Sequence, residues 1–310
     1  METRYLGNSG LEVSVVGLGT NNFGGRMDQE ATTAVVRASM DLGITLFDTA
    51  DIYGGSLSEQ YLGKALGADR HDVIIATKFG MSMGEGPFTS GASRRYIMSA
   101  VEDSLRRLGT DYIDLYQVHQ PDRETPLEET MRALDDLVRD GKVRYIGNSN
   151  YDGWEIASGH YIAQRDSLTP FISAQNNYSL LERSIETEIA PACEAFGLGM
   201  LPFFPLASGL LTGKYRRDEA PPEGTRLAGR ARNGRIASDR NWDIVERLDE
   251  WAREHDHTLL DLAFAWLASK PFVGSVIAGA TRVEQVEANV AAGDWRLTPE
   301  EMAEVDAIAR

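Results

Sequence analysis

Three short apolar segments in the first 120 residues each run into a polar side chain that can take part in proton transfer. Segment 45–48 ends in Asp48 and is followed by Tyr53, segment 73–77 runs into Lys78, and segment 113–118 runs into His119. A neighbouring ammonium lowers the pKa of a phenol, which is about 10 in free tyrosine, and so makes it a usable acid or base near neutrality. Asp48 can pair with the lysine, and His119 can supply a hydrogen bond or carry a proton.

The elements that would position these residues follow a regular alternation of short β-branched or apolar runs and longer amphipathic segments, which is typical of βα units. The helical segments include Asp28–Asp41, Arg94–Leu108, Leu127–Asp140 and Ile185–Phe196. The eight predicted strands are Val15–Leu18, Thr45–Asp48, Val73–Thr77, Ile113–Val118, Arg144–Asn148, Ile172–Gln175, Gly199–Phe203 and Val273–Ile277. They predict an α/β fold, a single-domain (β/α)8 TIM barrel over residues 1–310.

Two parts of the chain lie outside this repeat. Residues 4–6 and 11–13 alternate around a Gly/Asn/Ser turn, which predicts an N-terminal hairpin at the barrel floor. A long insertion separates strands seven and eight: a Gly/Pro/Arg-rich stretch, Ser208–Asp239, precedes the predicted helices Trp242–His255 and Leu259–Ser269, and the first of these helices belongs to the insertion.

The barrel explains why the four polar residues belong together. Active sites of such barrels form at the C-terminal ends of the strands, where Asp48, Lys78 and His119 lie. Taken singly, each residue has a structural explanation, as a helix cap, a packed ring, a structural histidine or a lysine reaching solvent. Their coincidence on three consecutive strands favours a site.

Composition excludes several classes of protein. The 310 residues carry 31 basic and 47 acidic side chains, and a net charge of −16 disfavours nucleic-acid and anionic-membrane partners. Cys193 is the single cysteine and no apolar run approaches roughly 18 residues, so we expect a cytoplasmic protein without a membrane anchor. His255 and His257 lie in a charged helix end, and no required metal is predicted.

The sequence lacks the two common nucleotide-binding motifs but has other features that could bind phosphate. The segment 17–22, Gly-Leu-Gly-Thr-Asn-Asn, lacks the third glycine of the dinucleotide fingerprint, and no P-loop is present. Residues 278–282 open a helix that offers backbone N–H groups and Arg282 to a phosphate. Segment 214–240 holds eight basic residues against four acidic ones: Lys214, Arg216, Arg217, Arg226, Arg230, Arg232, Arg235 and Arg240, with Asp218, Glu219, Glu223 and Asp239. It reads as a basic lid or a solvated loop.

Together these segments resemble the aldo-keto reductase family almost end to end, in the branch of bacterial reductases and potassium-channel β subunits. The motifs that carry the resemblance run from Gly17 to Asn289: Phe47–Gly54 (FDTADIYG), Ala76–Lys78 (ATK), Gln117–His119 (QVH), Gly147–Asn150 (GNSN), Gln175–Tyr178 (QNNY), Pro205–Tyr215 (PLASGLLTGKY), and Gly279-Ala280 with Gln285 and Asn289.

The resemblance implies a (β/α)8 barrel that binds NADPH, with NAD as the alternative, and passes hydride to an aldehyde or ketone. Tyr53 would be the general acid, Lys78 would lower its pKa, Asp48 would hold Lys78, and His119 would orient the carbonyl oxygen. The implied cofactor residues are Ser149, Asn150 and Gln175 at the nicotinamide amide, Phe203 stacked on its ring, Leu206, Ser208 and Gly209 at the pyrophosphate, and Gly279, Arg282, Gln285 and Asn289 at the adenosine end.

Two positions depart from the family pattern. Phe203 stands where the family usually has a tyrosine, and its ring keeps the aromatic face that would stack on the nicotinamide. Ala278 stands where the family usually has a proline before Gly-Ala, so this position leaves both NADP and NAD as candidate cofactors. Arg282 favours NADP. Asn22, Phe23, Phe79 and Met81 are expected to line the substrate pocket.

Two other functions remain open at this point. The first is a nucleotide-binding, redox-sensing regulatory subunit with slow turnover, as in the channel-associated relatives. The second is a glycoside hydrolase, which needs two carboxylates, but strands four and seven end in His119 and Phe203.

Overall fold

The computed structural model describes residues 1–228 and 236–310, and its centre is a ring of eight parallel strands. The first seven strands pair in chain order, each with the next, and the eighth pairs with the first. The strands are β3 (Val16–Gly19), β4 (Leu46–Asp48), β5 (Ile74–Phe79), β6 (Ile113–Val118), β7 (Val143–Ser149), β8 (Phe171–Gln175), β9 (Gly199–Met200) and β10 (Val276–Gly279). The ring closes where the backbone N–H of Gly274 donates to the Met200 carbonyl at 2.9 Å. The predicted (β/α)8 barrel is therefore confirmed.

Helices surround this ring. They are α1 (Gln29–Asp41), α2 (Leu57–Leu66), α3 (Arg94–Leu108), α4 (Leu127–Arg139), α5 (Gly153–Asp166), α6 (Ile189–Phe196), α7 (Asp239–Glu254), α8 (Leu259–Ala268), α9 (Val283–Ala292) and α10 (Pro299–Ile308). Their boundaries follow local chemistry. The Asp28 side chain accepts from the Ala31 N–H at 2.9 Å and so caps the start of α1, and Gly109, at a φ of 66°, ends α3.

The N-terminal hairpin of β1 (Thr3–Tyr5) and β2 (Glu12–Ser14) closes the barrel floor, as predicted. Leu6 is fully buried and packs in an apolar layer with side chains that point into the barrel, among them Leu46, Leu115 and Leu201. Gly7 has a φ of 57°, and a Cβ there would lie 2.5 to 2.6 Å from backbone atoms of the floor. Only glycine fits this approach.

Predicted and observed elements differ most clearly at β9, at β10 and around α6. Strand β9 is two residues long because Pro202 has no N–H to donate, although Phe203 N still donates to the Asn176 carbonyl at 3.0 Å. Strand β10 begins three residues after the predicted Val273, which forms an isolated bridge to Met200 instead. The predicted helix Ile185–Phe196 is divided into a 3-10 turn, Ser184–Thr187, and α6.

The insertion between β9 and β10 contains a 3-10 turn, Ala207–Thr212, and helix α7. Helix α7 starts three residues before the predicted helix, where the Ser238 side chain accepts from the Asn241 N–H. Of the basic residues predicted for this insertion, Arg230, Arg232 and Arg235 lie outside the described residues.

Candidate active site

A buried ion pair lies above the apolar floor, at the C-terminal ends of β4 and β5. Lys78 Nζ donates to Asp48 Oδ1 at 2.8 Å and to Asp48 Oδ2 at 2.7 Å, and it also donates to the Thr49 carbonyl at 2.8 Å. Both side chains are almost completely buried. Burial lowers the pKa of Lys78, but the charge and hydrogen bonds of Asp48 outweigh this effect and the net pKa is raised. The ammonium therefore keeps its proton.

Asp48 also accepts hydrogen bonds from two glutamines on other strands. Gln175 Nε2 donates to Asp48 Oδ1 at 2.8 Å, and Gln117 Nε2 donates to the same oxygen at 3.4 Å. These contacts span the barrel from β4 to β8. They fix the carboxylate orientation, and through it the position of Lys78.

Tyr53 lies between β4 and α2, with its ring next to this ion pair. Lys78 Nζ is 5.2 Å from the ring centroid of Tyr53, and the rings of Tyr53 and His119 meet edge to face at a centroid distance of 5.7 Å. The expected fall in the Tyr53 pKa is not the net result. Burial raises the pKa of Tyr53 by more than Lys78 lowers it, and Asp48 raises it further. Tyr53 therefore holds its proton at neutral pH.

His119 faces the cavity beside Tyr53 as a neutral imidazole. Burial and, to a smaller extent, the charge of Lys78 lower the pKa of His119 to about 3. Its Nδ1 atom has no hydrogen-bond partner within the described part of the chain. Its backbone is fixed, because the N–H donates to Phe79 O at 2.8 Å and the carbonyl accepts from Asn150 Nδ2 at 2.9 Å.

The cavity above these residues has a volume of about 1130 Å³. It brings together most residues expected at the site. The expected residues that line it are Asn22, Asp48, Tyr53, Met81, His119, Ser149, Asn150, Gln175, Phe203, Leu206, Ser208, Gly209, Gly279, Arg282, Gln285 and Asn289. Lys78 lies behind this wall, fully buried.

Phe23 and Phe79 are placed elsewhere. Both rings are fully buried in the hydrophobic core, and neither is part of the cavity wall. Phe79 directly follows Lys78 in β5, and alternate residues of a strand point to opposite sides. Its ring therefore turns outward from the barrel and packs on Tyr116, at a centroid distance of 4.7 Å.

Polar groups on the β7 and β8 side of the cavity hold one another in place. Ser149 Oγ donates to the Gln175 carbonyl at 2.8 Å, and Asn150 Nδ2 donates to Ser149 Oγ at 3.0 Å. Asn150 has a φ of 59°, a conformation that asparagine tolerates better than most residues. At the other end of the cavity, Gln285 Oε1 accepts from the Thr281 N–H at 2.8 Å.

Part of the insertion crosses to the opposite wall of the cavity. Arg226 donates to Asn21 Oδ1 at 3.0 Å, and Arg26 donates to the Gly224 carbonyl at 2.7 Å. Residues 222–226 thus form a strap over the cavity. The sequence singles out the basic segment but not Asn21, Arg26 and Gln120 as lining residues. Asn21 and Arg26 are found only in the folded chain, because their contacts join parts of the chain some 200 residues apart.

The described ranges 1–228 and 236–310 contain no group of three or more His, Cys, Asp or Glu residues that could hold a metal ion. His255 stacks on Trp251 and His257 stacks on Trp295, at centroid distances of 3.8 and 3.7 Å. Within the same ranges, no helix has the length and apolar character needed to span a membrane.

The geometry suits transfer of a proton to an oxygen atom bound between Tyr53 and His119. The phenol holds the proton, the buried ammonium stabilises the phenolate left behind, and neutral His119 can donate a hydrogen bond. Such a site needs a second reactant to complete a reaction, and the large cavity beside it has room for one.

The chain is similar to known proteins over nearly its whole length. The profile of the Aldo/keto reductase family matches residues 15–310. A putative voltage-gated potassium channel subunit beta of Schizosaccharomyces pombe is 37% identical over 98% of this chain and 92% of its own length. An L-glyceraldehyde 3-phosphate reductase of Escherichia coli O157:H7 is 35% identical over 99% of this chain and 92% of its own. An uncharacterised oxidoreductase of Bacillus subtilis is 37% identical over 97% and 93%, respectively. The chain therefore belongs to the aldo/keto reductase family of oxidoreductases.

Proposed function

We propose that this protein is an NADP-dependent carbonyl reductase that converts an aldehyde or ketone to an alcohol, with Tyr53 as the proton donor. The observation that carries the proposal is the arrangement of Asp48, Lys78, Tyr53 and His119 at one end of a cavity of about 1130 Å³. A nicotinamide cofactor, when bound, would supply the hydride, and the chain's own residues would manage the proton and the carbonyl oxygen.

Each of the four residues has a distinct role in this proposal. Tyr53 donates its proton to the substrate oxygen, and Lys78 stabilises the resulting phenolate. Asp48 keeps Lys78 in place and charged. His119, neutral at physiological pH, orients the carbonyl oxygen by a hydrogen bond.

The rest of the cavity fits a dinucleotide with phosphate groups. Lys214, Arg226 and Arg282 line it, although the chain as a whole carries a charge of −16. Gly209 has a φ of 97°, and a Cβ there would lie 3.0 Å from Lys214 Nζ, so the glycine allows this ammonium to approach the turn closely. Phe203 offers a ring for stacking, and Arg282 at the start of α9 favours a 2′-phosphate.

The substrate side of the cavity is lined by Asn22, Met81 and Gln120. This mixture of apolar and amide groups suits small to medium-sized carbonyl compounds. The E. coli relative named for reduction of L-glyceraldehyde 3-phosphate makes short polar aldehydes the first class to test.

The test begins with the cofactor. Titration of the purified protein with NADPH and NADH, followed through the fluorescence of its five tryptophans, should show tighter binding of NADPH. Arg282→Ala should weaken NADPH binding about ten-fold and leave NADH binding nearly unchanged. Tyr53→Phe should then bind NADPH normally and reduce aldehydes at least about 100-fold more slowly. Binding of neither nucleotide, or normal turnover by Tyr53→Phe, would contradict the proposal.

A second candidate function is a regulatory subunit that binds the nucleotide and turns over slowly. It is favoured by the relatives named as potassium channel β subunits, one of which is the S. pombe protein. Nucleotide binding with negligible turnover on a broad aldehyde panel, together with one constant partner in native purification, would support it over the reductase.

A further inference from the structure

A second group of buried polar residues lies behind Tyr53, outside the barrel and under α2 and α3. Its best-paired member is Glu59 of α2, which is fully buried. Glu59 accepts from Thr77 Oγ1 at 2.6 Å and from Arg107 Nε at 2.6 Å. One buried acid and one mostly buried base therefore satisfy each other here.

Asp51 is the member of this group whose carboxyl is unpaired. It follows β4 by three residues and is 1% exposed. Neither of its carboxylate oxygens has a hydrogen-bond partner within the described part of the chain. A buried carboxylate without partners is costly, whereas a protonated carboxyl is much less so. The geometry thus favours a protonated Asp51.

The charge of Glu59 on α2 acts in the same direction, because it repels the Asp51 carboxylate. Arg107 on α3, the backbone N–H of Ile52 and Lys78 on β5 act against it and favour the ionised form. Arg107 is already paired with Glu59, and Lys78 is paired with Asp48. The phenols of Tyr96 on α3 and Tyr116 on β6 also face the group, and Tyr116 Oη has no partner among the described residues. Burial, with a smaller contribution from Glu59, raises the pKa of Asp51 to about 7.

Asp51 is coupled to the site in front of it through the backbone and through its charge. Its N–H donates to the Lys78 carbonyl at 3.1 Å, so it is fixed to the strand that holds the ammonium. It also lies two residues before Tyr53, and its negative charge raises the pKa of the Tyr53 phenol. A proton gained or lost by Asp51 therefore changes how readily Tyr53 gives up its own.

We propose that Asp51 is a positioning residue that holds a proton below neutral pH and, once ionised, places a negative charge behind Tyr53 that weakens Tyr53 as an acid. Asp51 does not contact the substrate in this scheme. The effect on reaction rate rests on the proposed function, but the exchange of a proton by Asp51 and its coupling to Lys78 do not.

The first experiment follows the proton directly. The side-chain carboxyl carbon of Asp51, labelled with 13C and assigned through Asp51→Asn, should titrate near pH 7 rather than near the usual 3.9. Lys78→Met should move this midpoint upward, because an attracting charge is lost, and Glu59→Gln should move it downward. A midpoint near 4 in the wild type, or no response to Lys78→Met in a folded variant, would overturn the proposal.

The second experiment measures kcat/KM for aldehyde reduction between pH 5.5 and 8.5, a window set to about 1.5 units either side of the Asp51 midpoint. In the wild type it should fall roughly two- to five-fold through pH 7, the scale of one screened charge near the acid. In Asp51→Asn, kcat/KM should not change with pH over this range. Asp111→Asn removes an equal charge at an exposed position, and its kcat/KM should vary with pH as in the wild type. Identical profiles for the wild type and Asp51→Asn would remove the positioning role.

The two experiments separate the possible failures. If the wild type reduces no carbonyl compound, the proposed function fails. The titration of Asp51 in wild-type and Lys78→Met protein still decides whether Asp51 is electrostatically coupled to Lys78. If reduction is normal and Asp51 titrates near 4, the reductase stands and the inference about Asp51 is wrong.

Discussion

The ammonium of Lys78 donates to both carboxylate oxygens of Asp48, at 2.8 and 2.7 Å, and neither side chain is more than 4% exposed. A pair this deeply buried contributes little to stability as a whole, because the cost of removing two charges from water offsets their attraction. Loss of one partner is different, since the remaining charge is then buried alone. The pair is better explained by chemistry than by stability.

Lys78→Met should therefore affect both properties. We expect aldehyde reduction to fall at least about 1000-fold, because the Tyr53 phenolate loses its stabilising charge, and unfolding free energy to fall by about 3 kcal/mol, because Asp48 is left unpaired. Steady-state kinetics and urea denaturation measure the two effects.

The double variant Asp48→Asn with Lys78→Met is the matched control. It removes both charges, so it should recover most of the lost stability but none of the activity. A double variant that remains as unstable as Lys78→Met would show that the loss comes from packing rather than from the unpaired carboxylate.

His119 should not titrate in the physiological range, because its pKa is lowered to about 3 by burial and by Lys78. The ring signals of His119, identified by their absence in His119→Asn, should stay constant in NMR spectra from pH 8 to pH 5. A titration near the ordinary value of about 6.5 would mean that water reaches the imidazole far more freely than its 9% exposure indicates.

The raised pKa of Asp51 has a consequence for stability that is separate from its effect on rate. Unfolded aspartate has a pKa of about 3.9, and the folded value is about 7. Between these values the folded chain holds a proton that the unfolded chain releases, so this contribution to stability is complete below pH 4 and is lost as pH rises through 7.

Asp51→Asn should accordingly be more stable than the wild type at pH 8, where it avoids a buried charge. We expect a rise in Tm of roughly 3 to 8 °C at pH 8, which shrinks progressively as the pH is lowered toward 4. Thermal melts at several pH values check this. A variant that loses stability equally at all pH values would show that Asp51 is needed for packing instead.

The strap over the cavity should control how long the cofactor stays bound. Arg226 donates to Asn21 Oδ1 at 3.0 Å across the cavity, so Arg226→Ala should open the strap and speed NADP⁺ dissociation about ten-fold in stopped-flow measurements. Arg216→Ala is the control, because Arg216 donates to the carbonyls of Gly213 and Tyr215 within its own loop. Equal dissociation rates in both variants and the wild type would mean that the strap does not hold the nucleotide.

The barrel and its polar rim could be predicted from sequence because both depend on short-range patterns. Strand ends are marked by the change from apolar to polar residues, and Asp48, Lys78 and His119 stand at those changes. Phe79 is expected from the sequence to line the pocket, but it directly follows Lys78, and strand alternation turns its ring to the opposite side of the strand. The alternation alone was sufficient to exclude it.

Other features could not be predicted, because they depend on residues that meet only in the folded chain. Asp51 stands in a polar turn, where an aspartate is normally solvated, and its burial depends on how α2 and α3 pack over it. The direction of the Tyr53 pKa depends in the same way on how deeply the ring is buried. The sequence identified the charges near each group but not their desolvation.

The barrel is closed by residues from the two ends of the chain. Val276 pairs with Val16, and Arg4 of the floor hairpin donates to the Val273 carbonyl at 3.2 Å. During synthesis, strands β3 to β9 can emerge and pair in order. One edge of β3, the first strand of the barrel, stays unpaired until β10 has left the ribosome. Unpaired edges are the segments that aggregate. Completion of the fold is therefore a late, long-range step, and the nascent chain is most vulnerable just before β10 emerges.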